Sequence, residues 1–207
     1  LFEQQMNFFM QGMTYEIEFV PVDTTQQKVV YEDHSVTVET VPLRHRVPCC
    51  GYIFREKPTL PHIRRDMIDY YGISLSQINN IKNGADWTTP EGDIEPNSRL
   101  VEPADAPRSY AYCSDTCYLP DLYERVKDVT VLYHESTYTS ENEDRAKIYY
   151  HSTARQAALV AQKAGAGRLL LGHYSARYNN ENVLLEEAKA VFPESYLSQE
   201  GMVFEVK

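Results

Sequence analysis

Beyond residue 108, short apolar runs alternate with helical stretches, and no other feature constrains the fold so tightly. Residues 109–113 (SYAYC), 129–133 (VTVLY) and 168–172 (RLLLG) are rich in strand formers and too short for stable helices. Helices are expected at 119–126, 153–164 and 181–191, with a last strand at 202–206. The helix over 153–164 is the best defined. Thr153-x-x-Gln156 reads as a capping box, Ala157, Val160, Ala161 and Ala164 make an apolar stripe, and Gly165 is a stop. Strands that alternate with helices predict an α/β fold, a sheet covered by helices.

The first part of the chain reads differently. Residues 14–22 (TYEIEFVPV), 28–32, 35–41 (SVTVETV) and 49–55 (CCGYIFR) are strand candidates joined by short loops, a β-meander. Residues 57–108 then hold six of the eleven Pro. Two short helices fit near 61–71 and 75–83, each ending close to a Gly (Gly72, Gly84), and Pro90-Glu91-Gly92-Asp93 is a turn signal. Such a segment fits poorly into a regular sheet. It is expected to form an arm inserted at 57–107 into a domain made of 1–56 and 108–207.

The chemistry-bearing residues fall where the predicted strands end. His45 follows the strand at 35–41, Asp115 follows 109–113, His134-Glu135 ends 129–133, and His173 ends 168–172. His151 immediately precedes the capped helix. Sites in layered α/β folds form at strand C-terminal ends, where loops converge. His, Asp and Glu are also the ligand set of hydrolytic zinc and manganese centres. Taken singly, each residue has an ordinary reading as a loop or capping residue; together they point to part of a metal-dependent hydrolase site. His34 and His62 lie outside the pattern and are read as structural or exposed.

Composition narrows the function classes. The formal net charge is −10, which argues against nonspecific binding of nucleic acid. One stretch departs from it: between Arg44 and Arg65 lie six bases and a single acid, Glu56. That stretch is either a local polyanion contact or a solvated charged face. No apolar run is long enough to span a bilayer. Cys49, Cys50, Cys113 and Cys117 lack the spacing of a zinc knuckle and are read as buried free thiols of a cytosolic protein. The sequence begins at Leu1 rather than Met, and a preceding segment is expected.

Five local sequences, in order, resemble the ribonuclease Z family of tRNA 3′-processing endonucleases, in the metallo-β-lactamase superfamily. They are Leu43-Arg44-His45-Arg46-Val47 with Gly51-Tyr52, Ala111-Tyr112-Cys113-Ser114-Asp115-Thr116, His134-Glu135-Ser136-Thr137, His151-Ser152-Thr153, and Gly172-His173-Tyr174-Ser175-Ala176-Arg177-Tyr178. The resemblance implies an αββα four-layer sandwich, of which this chain would hold the second part of one sheet, most of the other, and the arm. It implies zinc ligation by His45, Asp115 and His173, with Asp115 bridging two Zn2+ ions. His151 would contact the scissile phosphate and protonate the leaving oxygen, and Glu135 would hold that imidazole. Precursor tRNA would be the substrate, in a cytoplasmic homodimer with no membrane association, and the arm would grip tRNA.

Two departures bear on that reading. The superfamily's H-x-H-x-D-H motif is absent, and it belongs to a region ahead of residue 1. At most three ligands remain, so this chain alone is expected to bind zinc weakly and to cleave nothing. The arm also lacks an expected Gly-Pro step: the matching stretch reads Gly72-Ile73-Ser74-Leu75-Ser76-Gln77-Ile78, although Lys82-Asn83-Gly84 is family-like. The alternatives are a phosphodiesterase of the same fold acting on a small ester, and a noncatalytic binding module.

Overall fold

A computed structural model describes residues 2–10, 14–15 and 17–207. A short helix, α1 (Phe2–Phe9), precedes the main body. Strands β1 (Val29–Glu32), β2 (Val36–Pro42) and β3 (Cys50–Glu56) then form the expected meander. The inserted segment carries β4 (His62–Ile63), α2 (Arg65–Tyr71), α3 (Leu75–Lys82), β5 (Trp87–Thr88), β6 (Ile94–Glu95), α4 (Asn97–Leu100) and β7 (Val101–Glu102). After it come β8 (Ser109–Cys113), α5 (Leu122–Arg125), β9 (Val131–Glu135), α6 (Glu143–Tyr149), α7 (Ala154–Ala164), β10 (Arg168–Gly172), α8 (Asn182–Lys189) and β11 (Ser195–Leu197).

Seven strands make one mixed sheet in the order β1-β2-β3-β8-β9-β10-β11. All the long strands among the described residues belong to this one sheet. Two strand expectations fail. Among the described residues of 14–22 there is no strand, and 202–206 is irregular; the sheet instead closes on β11. Alternation needs a partner ladder before it becomes a strand.

The parallel part of the sheet places the site. β8, β9 and β10 run parallel to one another. β2 is antiparallel to β3, and β3 to β8, so β2 runs the same way as β8. The C-terminal ends of β2, β8, β9 and β10 thus lie along one edge. Helices cover one face, where Ile53, Ala111, Cys113, Leu132, Leu169 and Leu171 meet Leu122, Ala157, Ala161 and Leu184 in the main core. The capping box is present: Thr153 Oγ1 accepts from Gln156 N, and the Gln156 side chain accepts from Thr153 N. The opposite face carries Tyr31, Phe54, Tyr110, Tyr112 and Tyr133, and Tyr112 stacks on Tyr133 at 4.8 Å.

Residues 57–107 leave and re-enter the sheet at one point, because Arg55 pairs with Ser109 across neighbouring strands. Glu56 N donates to Arg108 O at 2.9 Å, and Arg108 N and Nε donate back to the Glu56 carboxylate at 2.9 and 2.8 Å. The segment has a small core of its own, Ile73, Ile81 and Leu100, ringed by Ile63, Met67, Ile68, Tyr71, Ile78, Trp87 and Val101. Gly72 ends α2 at φ 60°, the left-handed conformation that its sequence position predicts.

Candidate metal centre

At the shared strand edge, one potential ligand atom from each of Asp115, Glu135, His151 and His173 comes within 4.8 Å of the others. The turns that aim them are conformationally demanding. Among the described residues, four other than Gly have positive φ: Asp115 (54°), His173 (57°), Tyr150 (62°) and Asp128 (54°). Three of these carry or flank the cluster. Left-handed backbone at non-glycine positions costs energy and concentrates at functional sites.

Glu135 is the pivot. Its side chain is fully buried at the end of β9. Its carboxylate accepts from Thr116 N at 2.5 Å, Thr137 Oγ1 at 2.6 Å, Ser152 N at 2.9 Å and His151 Nδ1 at 3.1 Å. Burial pushes this carboxyl up, but the hydrogen bonds from His151, Thr137 and Ser152 outweigh it and hold it below the usual carboxylate range. Four donors satisfy both oxygens. Glu135 therefore has no direction left for a metal, although it lies within the cluster, and its role is to hold its neighbours.

Three imidazoles are anchored in the same way, each through Nδ1. His151 Nδ1 donates to Glu135, and this bond raises the imidazole's proton affinity against the opposing effect of burial. His45 Nδ1 lies 3.0 Å from Tyr150 O, a carbonyl, and so must be the donor. His173 Nδ1 lies 2.9 Å from Thr137 Oγ1. That hydroxyl has one proton, which goes to Glu135 over the shorter 2.6 Å contact, so His173 Nδ1 is the donor to it. Every Nε2 is left as the open position. Asp115 Oδ1 sits 3.0 Å from His173 Nε2, a separation that suits two ligands of one cation at about 2.0–2.2 Å each. The donor set and its anchoring fit zinc.

His45 stands beside this cluster rather than within it, its ring centroid 5.2 Å from that of His151. Its loop is tied to the Asp115 turn by Arg44 N donating to Thr116 Oγ1 (3.2 Å) and Cys117 N to Arg44 O (2.9 Å). Asp115 and His173, each just beyond or at a strand end, and His151, just before α7, are brought together. His134 turns inward instead: fully buried, with Nδ1 2.8 Å from Glu135 O, and burial pushes its pKa down. Thr137 and the Tyr150 carbonyl are site residues that sequence reasoning missed. Thr137 lies within the His134-Glu135-Ser136-Thr137 stretch, which was the one signal available for it.

The reading of the thiols needs correction, and the basic stretch is partly neutralised. Only Cys113 is buried, and burial pushes its thiol up to about 12; Cys49, Cys50 and Cys117 are partly exposed, and all four are free. Of the six bases between Arg44 and Arg65, four meet acids: Arg55 with Glu39, Lys57 with Glu32, Arg64 with Asp66 and Arg65 with Asp69. Arg44 and Arg46, on either side of His45, have no ion pair among the described residues.

No family model matches the chain. It is 48% identical over 202 residues to a ribonuclease Z of Bacteroides fragilis (strain YCH46), covering 98% of this chain and 66% of that protein. It is 46% identical over 207 residues to a ribonuclease Z of Phocaeicola vulgatus, covering 100% of this chain and 67% of that protein. The chain thus spans about two thirds of the length of these relatives. Among solved structures, the metallo-β-lactamase fold protein YhfI from Bacillus subtilis superposes with a TM-score of 0.58 at 17% identity, over 96% of this chain and 61% of that one. The short form of human tRNase Z gives 0.52 at 20% identity, over 89% and 47%. These structures establish the fold as that of the metallo-β-lactamase proteins.

Proposed function

This chain belongs to the ribonuclease Z family, and on that premise we propose that it is the site-bearing part of a zinc-dependent endoribonuclease that removes 3′ trailers from precursor tRNA. The observation that carries the reading is the anchored cluster. Asp115 and His173 present Oδ1 and Nε2 to one point, and Glu135, saturated behind them, holds His151.

Asp115 and His173, with His45 alongside, are the residues that would hold the metal. Bound there, zinc supplies positive charge against a phosphodiester and acidifies a water. The chain's own part is proton transfer and positioning. The Glu135 carboxylate stabilises the protonated form of His151 and fixes Nδ1, so that the Nε2 proton faces the reacting phosphate and passes to the leaving oxygen. Thr137 couples Glu135 to His173, so the acid and the metal ligand share one support.

Residues 57–107 are assigned as the arm that grips tRNA, with assembly as a homodimer in the cytoplasm. One observation favours a second reading, hydrolysis of a small phosphodiester: Arg64, Arg65 and Arg99 of the segment each meet an acid, leaving less charge for tRNA phosphates. Deleting 57–107 from the complete protein separates the two. The account predicts loss of precursor-tRNA cleavage with hydrolysis of bis(p-nitrophenyl) phosphate retained. Unchanged tRNA cleavage after the deletion contradicts the arm's assignment and favours the small-ester reading.

A further inference from the structure

A pocket of about 300 Å³ opens beside the candidate centre, lined by His45, Arg46, Tyr138, Arg145, Tyr149 and His151. It contains no carboxylate, in a chain whose net charge is −10. Arg145 and Tyr149 are spaced i,i+4 on α6 and so share one face of that helix. Arg46 comes from the loop after β2 and lies over the Tyr149 ring, 5.4 Å from its centroid. Both arginines are exposed, and among the described residues neither has an ion pair or a side-chain hydrogen bond. Tyr149 is 41% exposed, whereas Tyr138 is a buried wall at 8% whose ring edge meets His151.

These features are not explained by folding. Unpaired arginines on exposed loops and helices add little stability, and Arg46 and Arg145 bring two positive charges to one pocket whose lining holds no carboxylate. Such convergence costs electrostatic energy unless an anion takes it up. Arginine beside an exposed tyrosine is also the pairing that holds single-stranded nucleic acid, phosphate on the guanidinium and base on the ring.

We infer that this pocket is a nucleotide subsite, taking the nucleotide next to the phosphodiester at His151. Arg46 and Arg145 bind its flanking phosphates, and Tyr149 stacks on its base. The assignment rests on the nuclease reading above and adds to it which residues position the strand.

The test is binding, without turnover. Fluorescence anisotropy of this chain with a labelled five-nucleotide RNA is compared with displacement by inorganic tripolyphosphate, a polyanion with no base. Arg46→Gln/Arg145→Gln is expected to weaken RNA binding about tenfold and to flatten the slope of log affinity against log salt by about 1.4, the value for two single-strand phosphate contacts. Tyr149→Ala is expected to weaken RNA binding several-fold while leaving tripolyphosphate unaffected. Lys189→Gln, on the exposed side of α8, should change neither. RNA binding unchanged in the double arginine variant overturns the subsite. So does a Tyr149→Ala variant that binds RNA like the parent, because the pocket is then an anion patch only. If the subsite fails while the complete protein still cleaves precursor tRNA, the nuclease reading stands. If the subsite binds and the complete protein cleaves no RNA, the nuclease reading falls and the subsite remains.

Discussion

At the scale of single residues, Glu135 is the side chain on which most depends. Its four donors converge from three segments, so changing it disturbs more than one contact. Glu135→Gln places an amide NH2 among groups that all donate. The expected cost is about 1–3 kcal/mol, from buried donors left without an acceptor, and thermal denaturation of the metal-free protein measures it. An unchanged melting temperature contradicts the network described here. Gly172 makes a second case. A Cβ there would stand 2.0 Å from Tyr133 Oη and 2.4 Å from its ring carbon Cζ, one residue before His173. Gly172→Ala is expected to destabilise by about 1–3 kcal/mol through forced repacking and to shift the His173 imidazole resonances in an NMR spectrum. That Asp115, His151 and His173 lie close together was legible in the sequence, because two of them follow or end strands and the third precedes a capped helix. Thr137 was not, because a threonine hydroxyl is common and acts here only through two partners. The Tyr150 carbonyl had no sequence signal at all, since any residue supplies one.

Among elements, local signals were readable where the chain itself closes the argument. The capping box and Gly165 bound α7, and Gly72 ends α2, because caps are made by neighbours in sequence. The described residues of 14–22, and 202–206, form no strand, because a strand is defined by its pairing, which the sequence does not name. β11 was missed for the converse reason: three residues suffice when β10 pairs with them in parallel. The base of the inserted segment offers a pH test. Hydrogen bonds and the nearby charge of Arg108 hold Glu56 down to about 2, below its ordinary 4.5. A depressed folded-state value means the clamp contributes fully above pH 4.5 and is lost as pH falls through about 2. Because both partners are exposed, the effect on global stability is small. Hydrogen exchange in residues 57–107 should therefore stay slow down to about pH 4 in the parent, after correction for intrinsic rates. Glu56→Gln should show faster exchange there even at pH 7, with α7 unaffected. Equal exchange in the two proteins at pH 7 contradicts the clamp.

For the whole molecule, one sheet with helices on one face brings the C-terminal ends of β2, β8, β9 and β10 to one edge, which is why residues read at strand ends lie near one another. What the sequence did not reveal is that all the long strands join the same sheet, because strand order depends on long-range pairing. The other face exposes Tyr31 at 54%, Phe54 at 41% and Tyr112 at 41%, more aromatic surface than a finished layer leaves to water. The chain spans about two thirds of the length of its relatives. In the function proposed above, Asp115 and His173 hold catalytic metal beside the acid His151. The most direct measurement is gel-resolved cleavage of a 3′-extended precursor tRNA by the complete protein, by its Asp115→Ala variant, and by this chain alone, each with zinc and after chelation. The account predicts trailer removal by the complete protein in zinc, a loss of at least about a thousandfold after chelation or in Asp115→Ala (roughly 4 kcal/mol), and no cleavage by this chain alone. Metal-independent cleavage, or an Asp115→Ala variant as active as the parent, would contradict it.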